Sequence, residues 1–435
     1  MNIENLQLKN YRNFEEYSIR FGKETTILIG KNGSGKTNLL TAIKQSLSFI
    51  FSKKRDEIQY DFIASSDQKV ESFLSTDAKY VYNNEKQGNF CYPISIKAKA
   101  KIKDEIIKWR FLKENSSGLE SSLYRKATEQ YWHKYYFENE VGKDLPIFVF
   151  FSDSYPHITT TITNKIQDIL NSGFELPRNT AYYKWDEDRN CTEIWVQYFI
   201  MQWKNDKYQN GKGNKEYLSQ VNKKMIEFSR VISDGINSDD VKIKKIDIEA
   251  RGKDDILMII FENGTRTVFN QLPQGYKRIF SIAFDILNRA YLLNSNCNPS
   301  GIVLIDEVEL HLHPSIAQEI LNGLKLTFPN IQFIVSTHSP LVITNFKQNE
   351  NNIIYKLCEE DGNYINSQIE DLYGIDYNSG LRDWMETPYR KFRAEELIKA
   401  YEYWKNVGDK NKIKKIKEKI KDEVGENSQL YKSLI

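Results

Sequence analysis

The chain has 435 residues, so two or three folded units are expected. Its 61 basic and 59 acidic side chains nearly balance, which excludes a polycation that binds nucleic acid over its whole surface. The sequence has no apolar leader and no apolar run long enough to span a bilayer, so it predicts a soluble, cytoplasmic protein with no membrane contact. Four widely spaced cysteines without a C-x-x-C pair suggest neither a disulfide framework nor a cysteine zinc site.

The first strong signal is a phosphate-binding loop. An apolar strand from Ile27 to Ile29 precedes the pattern G-x-x-x-x-G-K-T, and an amphipathic helix follows it. Glycines let consecutive N–H groups turn toward phosphate oxygens, and the helix start adds its positive dipole. We expect Lys36 to reach the β- and γ-phosphates of ATP and Thr37 to hold Mg²⁺. The predicted nucleotide-binding residues of this stretch are Gly30, Asn32, Gly33, Ser34, Gly35, Lys36, Thr37 and Asn38.

The next part of the chain combines a hairpin with an aromatic insert. Alternating residues predict antiparallel strands at 94–102 and 106–111 in an antiparallel lobe. Between 159 and 236 the period becomes helical, and Trp195, Phe199 and Trp203 recur every fourth residue, which favours one buried helix face. Stacking of these rings on nucleic-acid bases stays open, and so does a phosphate contact by the loop 209–216.

Three strands are predicted between 242 and 268, the last two joined at Asn263 and Gly264, a strong hairpin signal. The stretch L-P-Q-G-Y-K-R follows, beginning at Leu272 with Pro273 as its second residue. It leads into a predicted helix, and the apolar residues that share one face of this helix are Ile279, Ala283, Ile286 and Ala290.

A short apolar strand from 302 to 305 ends in the adjacent carboxylates Asp306 and Glu307. Beside a phosphate-binding loop, Asp306 is expected to support Mg²⁺ and Glu307 to orient or deprotonate the attacking water. A further apolar strand, 331–335, precedes His338, which we interpret as a γ-phosphate sensor at the carboxyl edge of the sheet. His311 and His313 supply at most half of a zinc site, so a zinc site is disfavoured.

The tail after His338 predicts a strand and then helices. Ile413, Ile416 and Ile420 share one face of a lysine-rich helix, which favours packing, while a contact with nucleic acid or a partner stays open. The sequence shows no acidic cluster typical of a nuclease, so no nuclease site is expected in this chain. The predicted domains are a first half of an ATPase head (1–153), a helical aromatic insert (154–238), the second half of the head (239–345) and a C-terminal strand with a helical tail (346–435).

These motifs, in this order, resemble the ABC-type ATPase heads of the RecF, chromosome-maintenance and OLD classes. The resemblance rests on residues 3–14, the phosphate loop, L-P-Q-G-Y-K-R, L-I-D-E-V-E-L-H-L-H-P and S-T-H-S-P, and it covers most of the chain. It implies an α/β fold: a P-loop ABC-type head with a mixed sheet and an antiparallel lobe, plus a helical insert and tail. It also implies a head-to-head dimer or a higher oligomer, in which the signature of one subunit closes over the ATP of another. Leu272, Gln274 and Gly275 match that signature.

Pro273 departs from the general pattern, since the family usually has a serine there. The substitution removes a hydroxyl but leaves the backbone of Gly275 and the helix start, which can still bind phosphate. Slow ATP hydrolysis is therefore expected. The variant signature resembles that of the Septu-type, PtuA-like ATPases of anti-phage defence, including those associated with retrons. This narrower resemblance implies a separate HNH effector nuclease and, in retrons, a reverse transcriptase with its DNA–RNA hybrid.

Two alternatives remain: a RecF-like repair ATPase acting as an ATP-gated DNA clamp, and a nucleotide-sensing scaffold that barely hydrolyses ATP. An ABC transporter head is disfavoured, because Gly275 follows Lys36 by more than two hundred residues. Arg12 resembles a residue that approaches the nucleotide. The glutamine that couples the γ-phosphate to the lobe in this family has three candidates, which are Gln59, Gln68 and Gln87.

Overall fold

A computed structural model describes residues 1–51, 72–82, 88–102, 105–117, 121–122, 144–154, 167–170, 175–176, 178–186, 191–208, 213–251, 255–386 and 392–434. Gln59, Gln68 and Gln87 lie outside the described residues, as do residues 209–212 of the loop 209–216. The chain forms two compact units, Met1–Gly374 and Ile375–Ile435. No helix in the described ranges is long and apolar enough to cross a membrane.

The strands of the first unit fall in chain order as follows. They are β1 (Asn2–Tyr11), β2 (Phe14–Arg20), β3 (Thr25–Ile29), β4 (Tyr80–Tyr82), β5 (Gly88–Phe90), β6 (Ile94–Ile102), β7 (Glu105–Lys113), β8 (Ser121–Ser122), β9 (Ile147–Phe151), β10 (Ile243–Glu249), β11 (Ile256–Phe261), β12 (Arg266–Val268), β13 (Gly301–Ile305), β14 (Ile331–Ser336), β15 (Asn352–Glu360) and β16 (Asn363–Gln368).

The helices divide between the two units. Those of the first unit are α1 (Lys36–Leu47), α2 (Thr192–Tyr208), α3 (Lys215–Ile236), α4 (Gln274–Asn294), α5 (Pro314–Thr327) and α6 (Pro340–Thr344), with short 3₁₀ turns at Ser48–Phe51, Ser75–Asp77, Arg178–Tyr182, Asp239–Val241 and Phe269–Gln271. Those of the second unit are α7 (Tyr377–Ser379), α8 (Phe392–Val407), α9 (Lys410–Val424) and α10 (Gln429–Leu434), with one π turn at Gly380–Trp384.

A six-stranded mixed sheet forms the centre of the first unit, in the order β16-β15-β3-β14-β13-β9. All neighbouring strands are parallel except β15 and β16. Strands β3, β9, β13 and β14 are buried along their whole length, as their continuous apolar sequences require. Because they are parallel, their carboxyl ends meet at one edge of the sheet, where the predicted site residues follow them. The predicted α/β fold is confirmed.

The predicted antiparallel lobe is a five-stranded sheet in the order β2-β1-β6-β7-β8. The predicted hairpin is confirmed, since β6 and β7 pair along their full length from Ile94↔Lys113 to Ile102↔Glu105. The three predicted strands between 242 and 268 are also confirmed, and they form the separate sheet β10-β11-β12. Its second hairpin turns at Gly264, whose φ of 85° favours glycine.

The insert helices α2 and α3 pack on helix α4. Trp195 and Phe199 of α2 are buried (0% and 4% exposed), which confirms the predicted face for these two rings, whereas Trp203 is half-buried. Trp195 and Phe199 are therefore unavailable for base stacking. Helix α4 was expected to have one apolar face, but the structure buries it on nearly all sides from Arg278 to Leu293.

Polar side chains stabilise this buried helix through paired contacts. Arg289 forms an ion pair with Asp285 one turn earlier, and both side chains are almost fully buried. The Trp195 indole N–H donates to Asp285 Oδ2 at 2.7 Å, and the hydroxyl of Tyr217 in α3 hydrogen-bonds Asn288. Arg289 Nη1 also donates to the carbonyl oxygens of two residues in the segment 178–186. Three parts of the chain thus hold α4 in place.

The boundary between the units differs from the sequence-based division. The tail was predicted to begin at 346, but β15 pairs with β3 from Asn352↔Thr25 to Lys356↔Ile29 and so belongs to the central sheet. The second unit begins at Ile375 instead. A local sequence pattern identifies a strand but not its partner, which explains the difference.

Within the second unit, α8 and α9 pack as an antiparallel pair of helices. Ile420 is buried and Ile413 and Ile416 are half-buried, so the predicted packing face of α9 is confirmed. Lys412 Nζ lies 3.5 Å from the ring centre of Trp404 in α8, a cation–π contact.

Replacing Asp285 by Ala should strongly destabilise the protein. The change leaves the Arg289 guanidinium buried without its carboxylate, which typically costs about 3 to 5 kcal/mol. Urea denaturation followed by circular dichroism measures the loss. The matched control is Glu249→Ala, which removes a half-exposed ion pair with Arg251 and should change stability by less than about 0.5 kcal/mol. Equal urea midpoints for the two variants would contradict the expectation.

Candidate nucleotide site

The loop between β3 and α1 has the backbone of a phosphate-binding loop. Gly30, Gly33 and Gly35 have φ angles of 147°, 83° and 92°, which favour glycine. A Cβ on Gly30 would lie 2.3 Å from the carbonyl oxygen of Leu357, so no side chain fits there. Gly35 is the N-cap of α1 and provides no capping side chain, which leaves the first helical N–H groups directed into the loop.

Lys36 lies across this loop. Its Nζ donates to the carbonyl oxygens of Gly30 (2.8 Å) and Lys31 (3.1 Å), and the residue is 6% exposed. Burial lowers the pKa of Lys36 to about 8, although the nearby carboxylates of Asp306 and Glu307 oppose this shift. The Thr37 side chain is exposed, and its hydroxyl makes no hydrogen bond with any described residue. A cation, the first backbone N–H groups of α1 and an available hydroxyl fit a triphosphate with Mg²⁺.

The carboxylates Asp306 and Glu307 follow β13 at the same sheet edge. Asp306 is 3% exposed and accepts a hydrogen bond from the hydroxyl of Ser336, which in turn accepts from the Glu307 N–H at 2.8 Å. Glu307 has a positive φ of 49° and is half-buried. Burial and the nearby charges of Asp306 and Asp153 raise its pKa, against the effect of Arg278. A carboxylate with a raised pKa suits a group that accepts a proton.

His338 follows β14 and lies near Lys36. Burial and the Lys36 charge lower the pKa of His338, against the effects of Glu309 and Asp306, which favours the neutral imidazole. Its backbone N–H donates to Glu309 Oε1 at 2.6 Å, and the Thr337 hydroxyl donates to Glu309 Oε2 at 2.7 Å. Glu309 therefore fixes the loop that carries His338. Sequence reasoning did not single out Glu309, although its place two residues after Glu307 was a signal.

Arg278 is the second residue that sequence reasoning missed. Its side chain is fully buried, and Nη2 donates to the carbonyl oxygens of Asp306 (2.9 Å) and Glu307 (3.0 Å). Nη1 lies 3.4 Å from the carbonyl oxygen of Ser152, which follows β9. One guanidinium thus joins the start of α4 to the ends of two strands. The position of Arg278 at the end of L-P-Q-G-Y-K-R was a signal in the sequence, but its burial could not be predicted from the sequence.

The signature stretch lies at the start of α4. Pro273 is the N-cap residue and its carbonyl accepts from the Lys277 N–H, so the helix begins directly after the proline. A Cβ on Gly275 would lie 2.7 Å from the carbonyl oxygen of His311, so Gly275 packs closely on the loop after Asp306 and Glu307. No hydrogen bond or ion pair between described residues joins 272–275 to the phosphate loop of the same chain.

Two other predicted residues have structural contacts. Arg12 follows β1, and it donates to Asn38 Oδ1 at 3.0 Å and pairs with Asp77 at 3.0 Å, so it lies against the start of α1. His313 is the N-cap of α5, where its ring accepts from the Ser315 N–H. The structure therefore brings the phosphate loop, Asp306, Glu307 and His338 into one site, whereas 272–275 packs on the loop that follows Asp306 and Glu307.

Comparisons with known proteins show the family of the chain. The AAA ATPase domain family model matches residues 1–343, so the chain belongs to the AAA ATPase domain family. The chain is 26% identical to "Retron Vc95 probable ATPase" of Vibrio cholerae over 95% of this chain and 86% of that protein. It is an ATPase of AAA type, similar to a retron ATPase over most of its length.

Two further relatives match shorter stretches. "Retron Ec83 probable ATPase" of Escherichia coli is 52% identical over 20% of this chain and 16% of that protein. "Septu protein PtuA" of Bacillus mycoides is 31% identical over 34% of this chain and 22% of that protein. Among solved structures, the "SMC head domain from Thermotoga maritima" aligns with 85% of this chain and 100% of that chain at 15% identity and a TM-score of 0.43.

ATP binding should weaken as the pH rises above 8. The pKa of Lys36 is about 8, and bound phosphates would raise it, so ATP prefers the protonated lysine. At pH 9 about one molecule in ten retains that proton, so the dissociation constant should rise about tenfold from pH 7 to pH 9. Isothermal titration calorimetry in two buffers of different ionisation enthalpy also measures the expected proton uptake at pH 9. Equal affinities at both pH values would refute the assignment.

Replacing Arg278 by Met should slow ATP hydrolysis and leave ATP affinity unchanged. The variant removes the donors that fix the carbonyl oxygens of Asp306 and Glu307, whereas the phosphate loop is untouched. We expect the turnover number to fall at least about tenfold, which corresponds to about 1.4 kcal/mol of activation free energy. The control Arg266→Met changes an exposed strand residue and should behave as wild type. An Arg278→Met protein with normal turnover would show that this contact is dispensable.

Proposed function

We propose that the chain binds ATP with Mg²⁺, dimerises on ATP, hydrolyses it slowly and thereby controls a separate effector nuclease in cytoplasmic anti-phage defence. The observation that carries the catalytic part is the meeting of Lys36, Asp306, Glu307 and His338 at the carboxyl edge of one sheet. Membership of the AAA ATPase domain family supports the same activity. The retron and Septu names of the relatives support the defence context.

Each side chain of the site has a proposed task. Lys36 and the N–H groups of residues 30–38 bind the phosphates, and Thr37 and Asp306 hold Mg²⁺. Bound ATP supplies the phosphoryl group that is transferred to water. Glu307 Oε orients that water and accepts its proton, which its raised pKa favours. Neutral His338, held by Glu309, donates a hydrogen bond toward the γ-phosphate.

The dimer is proposed from the resemblance of residues 272–275 to a signature that contacts the ATP of another subunit. Leu272, Gln274 and Gly275 lie at the start of α4, and no hydrogen bond or ion pair between described residues joins them to their own phosphate loop. Leu272 is buried, but Gln274 is exposed and Gly275 is half-buried, which supports a contact of these two residues with the nucleotide of another subunit. Pro273 supplies no hydroxyl, but the first N–H groups of α4 can bind a phosphate oxygen. Loss of the serine hydroxyl accounts for the slow turnover that we propose.

The effector is proposed to be an HNH nuclease encoded separately. In a retron system, a reverse transcriptase and its DNA–RNA hybrid would be further partners. A RecF-like DNA clamp remains the second candidate, because Gly275 and Arg278 connect the signature to the catalytic carboxylates and could serve any ATP-gated dimer equally well.

Glu307→Gln should abolish hydrolysis and preserve ATP binding. Glutamine keeps the size of the side chain but cannot accept the proton, so steady phosphate release should fall by at least about a hundredfold. The assay compares both proteins with and without Mg²⁺, and fluorescent ATP measures binding. Asp239→Asn, an exposed carboxylate outside the site, serves as the control. Equal phosphate release by wild type and Glu307→Gln would exclude Glu307 as the catalytic carboxylate.

Glu307→Gln also tests the dimer and the effector. We expect light scattering after size-exclusion chromatography to show dimers with ATP and Mg²⁺ and monomers without nucleotide. Co-expression with the neighbouring genes should recover a nuclease in the same complex. A monomer under every condition would contradict the composite site, and ATP-dependent duplex binding without any nuclease partner would favour the RecF-like clamp.

A further inference from the structure

The exposed face of the five-stranded antiparallel sheet is strongly basic. Its strands alternate buried apolar and exposed polar residues, so the exposed side chains share one face. On this face the described cations outnumber the carboxylates Glu4 and Glu16, although basic and acidic residues are balanced over the whole chain. The cations are Lys9, Arg20, Lys97, Lys99, Lys101, Lys108 and Arg110. We call these seven residues and their sheet surface the basic face.

Like charges lie directly opposite one another on the basic face. In the β6–β7 ladder Lys97 faces Arg110 and Lys99 faces Lys108. Like charges in directly opposite positions destabilise a sheet. Without a ligand, a neutral residue at Lys97, Lys108 or Arg110 would relieve this repulsion, whereas an anionic ligand offsets the repulsion with the cations in place.

Several of these cations are available to a ligand. Lys97 and Lys108 are exposed and make no hydrogen bond or ion pair with any described residue. Lys99 and Lys9 pair with Glu4 (2.5 Å) and Glu16 (3.5 Å), so the two carboxylates are used within the face. The remaining positive charge is concentrated on β6 and β7.

Two adjoining clefts shape this surface. Their volumes are about 430 and 410 Å³, and both are lined by Gln7, Lys97 and Arg110. The first also includes the hydroxyls of Ser18 and Ser95. Cations interleaved with amides and hydroxyls are the groups that contact phosphate and sugar oxygens in nucleic-acid complexes.

We propose that the basic face binds the phosphate backbone of a nucleic-acid duplex. Single-strand sites use exposed aromatic rings to stack bases, but the rings beneath this face, Tyr17 and Trp109, are 5% and 2% exposed. No exposed aromatic side chain is among the described residues of the face. Lysine and arginine neutralise phosphates and release their counterions, a contact that does not depend on base sequence. The site is separate from the nucleotide site, so this inference does not rest on the proposed ATPase cycle.

The test compares wild type with a variant that combines Lys97→Gln, Lys108→Gln and Arg110→Gln. Fluorescence anisotropy with a labelled DNA duplex of about 30 base pairs, without ATP, is measured between roughly 50 and 200 mM salt. We expect the variant to bind at least about tenfold more weakly at the lowest salt. Its slope of log affinity against log salt should be shallower by about 2.7, since each lost phosphate contact contributes about 0.9.

The matched control removes the same charge from α9 through Lys414→Gln, Lys415→Gln and Lys419→Gln, all exposed. It should bind the duplex like wild type. The melting temperature and the ATP affinity of each variant verify its folding. If the triple variant unfolds, the single variants Lys97→Gln and Lys108→Gln replace it, and each should lose less affinity for the duplex. The proposal is overturned if wild type binds no duplex, or if both triple variants lose the same affinity. It is equally overturned if the triple variant of the basic face loses affinity for a labelled polyglutamate peptide but not for the duplex.

Discussion

The buried guanidinium of Arg278 is the contact on which the site geometry depends. Its donors fix the carbonyl oxygens of Asp306 and Glu307, so the turn that presents both carboxylates cannot relax while Arg278 keeps its place. Glu307 has a positive φ, a conformation that a non-glycine residue holds only when its surroundings determine it. The same side chain extends toward Ser152 after β9. A buried cation that binds backbone carbonyl oxygens thus fixes the turns that follow two strands of the sheet.

Arg278 also connects residues 272–275 to the turn that carries Asp306 and Glu307. Gly275 packs on the carbonyl oxygen of His311. Three residues later in the chain, Arg278 donates to the carbonyl oxygen of Asp306. A side chain at 275 would push these two segments apart. In the proposed dimer, the residues 272–275 of one subunit would contact the nucleotide of the other. ATP binding at one site would then affect the position of the carboxylates in the second site through Gly275 and Arg278. No separate signalling segment would be needed.

Local sequence patterns predicted much of the fold and the site. Local patterns identify three features: the phosphate loop, the strand ending in Asp306 and the β6–β7 hairpin. Each shows its pattern of apolar residues or its motif within one short stretch of sequence. The contacts of Arg278 and Glu309 could not be predicted, because they join segments far apart in the chain and depend on burial. The pairing of β15 with β3 was missed for the same reason.

The insert is connected through helix α4 to the turn that carries Asp306 and Glu307. Helices α2 and α3 hold α4 through Trp195–Asp285 and Tyr217–Asn288, and both contacts are buried. Buried polar contacts are costly to break, because each separated group would need a new partner. A partner that shifts the insert would therefore move α4 with it. Since Arg278 lies on α4, that movement would reach the turn of Asp306 and Glu307, so an effector bound at the insert could sense or alter the hydrolytic state.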